Sequence, residues 1–213
     1  MLGVVGVVLG VVWAVASVVW TNYQVRSADN QIMTVVQNVR DYYDPQGHLP
    51  CPAAGCTTTG IDVTGFLDGS STNAPKAIAD LPTLIPVEMR TNQSTAGNIN
   101  NINHALASMN GGSFHVWAYD SVSPMRDMLR IKLLGLSQEK CEKLLINFPV
   151  LTPEIGAARI AANANFVSFN ANGTITSVSS SVSVVLPLTL SIANNWCVAG
   201  NTNEVDIDFK LRN

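Results

Sequence analysis

Charged side chains are scarce in this sequence. Asp, Glu, Lys and Arg together make up 13% of the 213 residues, about half of the usual share in a soluble domain. Lys and Arg total 12 and do not cluster, and the formal net charge is −3. A nucleic-acid partner would require a basic patch to neutralise phosphates. We therefore expect no nucleic-acid binding.

Motifs of catalysis and metal binding are also missing. The three histidines, His48, His104 and His115, lie far apart in the sequence and lack the spacing of metal ligands. The serine-rich stretch has no GxSxG motif, and no glycine pattern is typical of phosphate binding. Asp206 and Asp208 could be paired carboxylates on one strand face, but a solvated edge is the preferred interpretation. We expect neither an enzyme nor a cofactor or metal site.

Cysteine is rare, but its number is even. The four residues are Cys51, Cys56, Cys141 and Cys197, which favours two disulfides in a chain whose other features are extracytoplasmic. Three pairings are possible. The stretch CPAAGC favours a small loop closed by Cys51 and Cys56, which leaves the other two as the second pair. A four-cysteine zinc site is the alternative, but the two distant cysteines lack the short paired spacing of zinc ribbons.

A long apolar run, by contrast, opens the chain. Residues 1–20 contain no charged side chain, and twenty helical residues span about 30 Å, the thickness of the hydrocarbon core of a bilayer. A membrane-spanning helix is one interpretation. A secretory signal peptide is another, but its charged n-region is missing.

A third interpretation is a helix that lies in the membrane first and then packs among copies of itself. Small residues favour it because they let helix backbones approach closely. These residues are Gly3, Gly6, Gly10 and Ala14. We expect Trp20 to mark the boundary of the bilayer and Trp13 to pack between neighbouring helices.

Beyond Trp20 the sequence becomes amphipathic with the period of a helix. Apolar residues recur at three- and four-residue steps while polar residues occupy the other faces. The predicted apolar face comprises Tyr23, Val25, Ala28, Ile32, Val35, Val36, Val39 and Tyr43. Asp44-Pro45 and Gly47 end the helix. The sequence thus predicts one helix over 1–44, apolar and then amphipathic, and a head domain over 45–213.

The basic residues and the cysteines predict opposite orientations of the chain in the membrane. The first basic residue is Arg26, which by the positive-inside rule would place the head in the cytoplasm, whereas the cysteines favour an oxidising compartment. The conflict is resolved if the chain is a mature form from which a basic leader has been removed, leaving Met1 as the new end. This processing is our expectation.

The head has the pattern of an antiparallel sheet with a helix. Residues 45–113 are rich in Gly, Thr, Asn, Pro and Ser, and predict loops with short elements. Strands are predicted by FHVWAY at 114–119, LRIKLL at 129–134, ANFVSFN at 164–170, TITSVSSSVSVVLPLTLSI at 174–192 and VDIDFKL at 205–211. Between them Ser137 is a predicted N-cap of a helix that Pro149 ends. The fold class is α+β, a long N-terminal helix packed against an antiparallel sheet.

In its layout the whole chain resembles a type IVb pilin. The likeness is specific in local sequence around LRIKLLGLSQEKCEKLLINF and a late cysteine in NNWC. The resemblance implies that Cys141 pairs with Cys197, that prepilin peptidase removes the leader, and that Met1 is N-methylated. It also implies a subunit that waits in the inner membrane until the pilus machinery assembles it into an extracellular helical filament, a homo-oligomer with its N-terminal helices in the core.

Such a filament would serve adhesion or cell-cell contact, for example in conjugation. One residue departs from the family: most pilins carry a glutamate where this chain has Val5, so the terminal amine of Met1 would need another partner. A minor pilin or a pseudopilin of type II secretion is the alternative within this class. A membrane-anchored extracytoplasmic binding protein that does not polymerise is the alternative outside it.

Overall fold

The structure is a computed structural model, and it describes residues 2–49, 61–62, 84–86, 89, 106, 114–119, 127–148, 157–170 and 174–211. For residues 2–6, 8, 61, 62 and 119 it describes the backbone alone. Several sequence predictions lie outside the described residues. They concern Met1, His104, the Cys51–Cys56 pair and most of the loop-rich region 45–113.

A single long helix, α1, runs from Leu2 to Tyr43. A 3-10 turn over Asp44–Gln46 follows it, and Gly47 takes a left-handed conformation with φ 75° and donates its N–H to Asp44 O. Glycine suits this position because it has no Cβ to clash in that conformation. The predicted helix and its predicted end are both confirmed.

The head contains an antiparallel sheet whose strands are β1 (Ile61–Asp62), β2 (Phe114–Tyr119), β3 (Met128–Leu136), β4 (Ala157–Ala162), β5 (Asn165–Phe169), β6 (Ile175–Ser179) and β7 (Asn203–Lys210). The spatial order is β1-β2-β3-β7-β4-β5-β6. The last strand therefore lies between β3 and β4, pairing Ile207 with Ile131 on one side and with Ile160 on the other. These pairings join segments that are distant in sequence and place β7 in the middle of the sheet.

Two short helices are present in the described part of the head. Helix α2 (Gln138–Asn147) begins at Ser137, whose side chain accepts a hydrogen bond from the Lys140 N–H, so the predicted cap is confirmed. Helix α3 (Leu190–Trp196) follows β6. A disulfide between Cys141 in α2 and Cys197 at the end of α3 links the two helices.

The core lies between α1 and the inner face of the sheet. The buried apolar residues described in α1 are Val25, Ala28, Ile32, Val35, Val36, Val39 and Tyr43. Opposite them the inner residues of the central strands, such as Ile131, Ile207 and Phe209, are fully buried. The predicted fold class, a long helix against an antiparallel sheet, is confirmed.

Three details of the sequence prediction were wrong or incomplete. Tyr23 was placed on the buried face of α1, but it is exposed because it lies on the side of the helix opposite to the buried Thr21 and Val25. The stretch TITSVSSSVSVVLPLTLSI was interpreted as strand, but only Ile175–Ser179 is a strand and Leu190 begins a helix. Strand β4 was not predicted, since AARIAA has a single β-branched residue, Ile160, and no aromatic residue.

Candidate assembly surface

The N-terminal half of α1 exposes an almost continuous apolar surface. We call residues 2–23 the apolar arm. The large apolar side chains described within it are between 51% and 75% exposed. They are Val7, Leu9, Val11, Val12, Trp13, Val15, Val18, Val19, Trp20 and Tyr23. Soluble monomers rarely expose contiguous apolar surface on this scale, so the arm is the strongest candidate for a functional site.

The boundary between the arm and the head is sharp. Among the side chains described in α1, Thr21 is the first that is buried, and Val25 and Ala28 begin the face that packs on the sheet. Burying one exposed Val or Leu side chain contributes roughly 1.5 to 3 kcal/mol. The surface contains seven exposed Val and Leu side chains and three aromatic ones, and it therefore provides a large driving force for association with an apolar partner.

Small residues interrupt the arm at positions where another backbone could approach. A Cβ atom added at Gly10 would meet no heavy atom within 4 Å, and Ala14 is exposed. The side-chain surroundings of Gly3 and Gly6 are outside the described residues, as are those of Val5. A larger residue at Gly10 is therefore accommodated within a single copy of the chain.

Among the residues that the structure describes, no helix meets the combined length and hydropathy required to cross a membrane.

The head is fixed to the far end of α1 by polar contacts as well as by packing. Arg40 donates two hydrogen bonds to the carbonyl of Lys210, at 2.9 and 2.7 Å, and its guanidinium lies 6.0 Å from the ring centroid of Phe209. Burial lowers the pKa of Arg40, and Asp44 partly offsets this. Asn38 also donates to the carbonyl of Leu84 at 3.3 Å. The head therefore keeps a defined orientation relative to the arm.

A network of side-chain amides around the buried Asn203 holds the segment that carries Cys197. Asn203 is fully buried and donates to the carbonyls of Leu136 and Val198, while its Oδ1 accepts from Val198 N and Asn163 Nδ2. Asn163 also donates to the carbonyl of Trp196 at 2.7 Å. Sequence reasoning missed these two asparagines. The one available signal was a pair of polar residues next to predicted strands.

On the outer face of the sheet, the structure corrects the prediction that Asp206 and Asp208 lie at a solvated edge. Asp208 is not at a solvated edge: it is 1% exposed and accepts two hydrogen bonds from Arg130, at 2.6 and 2.9 Å, with Arg159 at 3.5 Å. Asp206 is partly buried, and burial raises its pKa to about 6 against the opposing effect of Lys132. Alternation in β7 placed both residues on the outer face, but arginine side chains from β3 and β4 cover Asp208.

The described histidines lie on separate elements. His115 is in β2, and His48 follows the 3-10 turn after α1. Within the described part of the chain, no group of three or more His, Cys, Asp or Glu residues could hold a metal ion.

No protein-family model matches the chain. A search of curated proteins likewise returns no match. Among solved structures, the chain is similar to TcpA, a type IV pilin from Vibrio cholerae El Tor biotype, with 12% identity and a TM-score of 0.47 over 87% of this chain and 98% of that chain. At this identity and score the likeness carries no function over to this chain.

Proposed function

We propose that this chain is a pilin-like structural subunit that polymerises into an extracellular helical filament through its apolar arm. The observation that carries the proposal is the exposed apolar surface described over residues 7–23, next to a helix half whose apolar face is already buried by the head. The second half of α1 thus packs within the chain, whereas the first half packs on nothing among the described residues. Copies of the same arm supply that partner when the arms bundle in the core of a filament.

The shape of the subunit favours polymerisation over a simple tether. A tether needs an apolar segment, but it does not need a rigid helix that continues into the head. Here one uninterrupted helix, Leu2–Tyr43, joins the arm to the core of the head. The head therefore projects from the arm at a fixed angle, so that each added copy repeats the same geometry, as a helical filament requires.

The arm also has the composition that close helix packing requires. Small residues allow backbones to approach, and van der Waals contacts then replace contacts with lipid. We propose that Gly3, Gly6, Gly10 and Ala14 lie at these contacts. Before assembly the same arm holds the subunit in the inner membrane, where a prepilin peptidase and a pilus assembly machinery act on it. The filament serves adhesion or cell-cell contact, as in conjugation.

A substitution at Gly10 tests the proposal. Because a Cβ at this position meets nothing within 4 Å in the single chain, Gly10→Leu leaves the subunit folded and acts only on contacts between copies. We expect wild-type filaments by electron microscopy of sheared material, and at least a tenfold loss of filaments for Gly10→Leu, with unchanged circular dichroism of the detergent-extracted subunit.

Val15→Leu is the matched control, because it also enlarges an exposed residue of the arm but does not fill a glycine site. It should assemble as wild type does. Filaments of normal yield from Gly10→Leu would contradict the packing proposed for the arm. A wild-type chain that is recovered only as a detergent-soluble monomer would favour the anchored binding protein.

A further inference from the structure

We propose that the guanidinium of Arg26 stacks on the Trp20–Tyr23 ring pair of a neighbouring copy in the filament. The partner is a second copy of this chain, and the inference therefore rests on the proposed function. It specifies a contact that sets how neighbouring helices lie against each other at the end of the apolar arm.

Arg26 is a cation without a partner at the edge of the proposed interface. It is exposed, and within the described part of the chain no hydrogen bond or ion pair engages it. It is also the first charged residue of the sequence, and it lies one helical turn beyond Tyr23. When the arm is buried up to Tyr23, a neighbouring helix must lie beside Arg26. A charge enclosed there without a partner is costly.

The nearest carboxylate does not satisfy Arg26. Asp29 is three residues further along α1, but its Oδ1 is enclosed by the chain and has no hydrogen-bond partner among the described residues. Residues 1–28 contain no Asp or Glu, so the arm of a neighbour offers no carboxylate either.

The arm does offer aromatic faces, which bind guanidinium groups well. Trp20 and Tyr23 are 61% and 64% exposed, and their ring centroids lie 5.9 Å apart with planes inclined by 30°. Arginine stacks on such rings through cation–π attraction. The two rings together form a wider platform than either ring alone.

Trp13 is more exposed, at 75%, but its position is less suitable. It lies thirteen residues before Arg26, about 20 Å along the helix, whereas Trp20 lies about 9 Å away. For copies in lateral contact, a guanidinium on Trp13 would be drawn deep into the apolar bundle, where a charge is costly. At the Trp20–Tyr23 pair the guanidinium stays near the solvent-exposed end of the helix bundle.

A double-mutant cycle on the full chain tests the contact. The readout is the critical concentration at which purified subunits assemble when detergent is removed. We expect Arg26→Gln and Trp20→Leu each to raise it about two- to thirtyfold, and the double variant to raise it no further than the more severe single variant. Trp13→Leu is the control, and its effect should multiply with that of Arg26→Gln.

Independent effects of Arg26→Gln and Trp20→Leu would contradict the proposed contact, but they would not contradict the proposed filament. Coupling of Arg26→Gln to Asp29→Asn would overturn it in favour of an ion pair. A wild-type chain that forms no filament would overturn both proposals. If the variants fail to assemble, electron cryomicroscopy of wild-type filaments decides: the guanidinium should lie within about 6 Å of a neighbour's ring centroid, and a larger separation contradicts the contact.

Discussion

At the residue scale, burial between α1 and the head changes the pKa of a polar side chain, that of Asp29. Burial raises its pKa from 3.8 to about 7, and its Oδ1 is enclosed without a partner among the described residues. The carboxyl group is therefore easier to protonate in the folded chain than in the unfolded chain.

This difference predicts how stability depends on pH. A group whose folded pKa is raised binds its proton more tightly in the folded state, so its contribution is fully present below about pH 4 and is lost as the pH rises to about 7. Asp29→Asn removes the ionisable group. We expect the variant to be more stable than wild type at pH 8, by on the order of 1 to 3 kcal/mol, with the gain largely gone at pH 4.

Urea unfolding in detergent at the two pH values measures this effect. Asp41→Asn is the matched control, because Asp41 is an exposed aspartate on the same helix, and it should show no such gain. Equal stability of Asp29→Asn and wild type at pH 8 would contradict the prediction.

At the scale of elements, α3 is held to the rest of the head by a disulfide and by hydrogen bonds of side-chain amides. The disulfide joins Cys141 to Cys197 across 56 residues of sequence. Trp196, fully buried at the end of α3, donates from its indole Nε1 to Ser180 Oγ at 2.9 Å. Asn163 and Asn203 contact the same region. The short helix therefore depends on long-range contacts rather than on its own propensity.

Removal of the disulfide should consequently destabilise the head. We expect the double variant Cys141→Ser/Cys197→Ser to lose about 4 kcal/mol, mainly because the unfolded chain becomes less restricted. Urea unfolding gives the loss, and the recovery of filaments from sheared material should fall with it. Cys51→Ser/Cys56→Ser is the comparison. The predicted Cys51–Cys56 disulfide closes a much smaller loop, so its removal should lower the free energy of unfolding by less.

An unchanged unfolding midpoint for Cys141→Ser/Cys197→Ser would show that packing alone holds α3. Intact mass before and after reduction would also test the predicted Cys51–Cys56 pair, because two disulfides make the chain four hydrogens lighter than its reduced form.

At the scale of the whole molecule, the two halves of α1 have different surroundings. Its second half belongs to the core of the head, and its first half is exposed in the single chain. The core begins at Val25, with Thr21 at its edge. The apolar arm therefore contributes little to the stability of the head.

We expect a chain without residues 2–20 to fold as a monomer in the absence of detergent. Its urea midpoint should stay near that of the full chain, since each buried residue of α1 is retained, and sedimentation should show one species. The full-length chain is the control and should associate or require detergent. An unfolded or aggregated truncated chain would show that the arm also supports the head.

Much of this architecture could be predicted from the sequence. The period of the apolar residues predicted the buried face of α1 from Val25 onward, and Gly47 predicted its end. Ser137 predicted the start of α2. Prediction failed where tertiary contacts outweigh local pattern: AARIAA becomes strand β4 because β7 and β5 pair with it on both sides, and LSIANNW becomes α3 because its apolar residues pack on the core.

The sequence by itself determined the long helix, the apolar character of its first half and the alternation of β7, because each depends on a local period of side chains. Tertiary structure alone decided the strand order that places β7 between β3 and β4. It also decided the burial of Asp208 under two arginines, and the point on α1 at which the head ends. These features join residues that are distant in sequence, and no local pattern encodes such contacts.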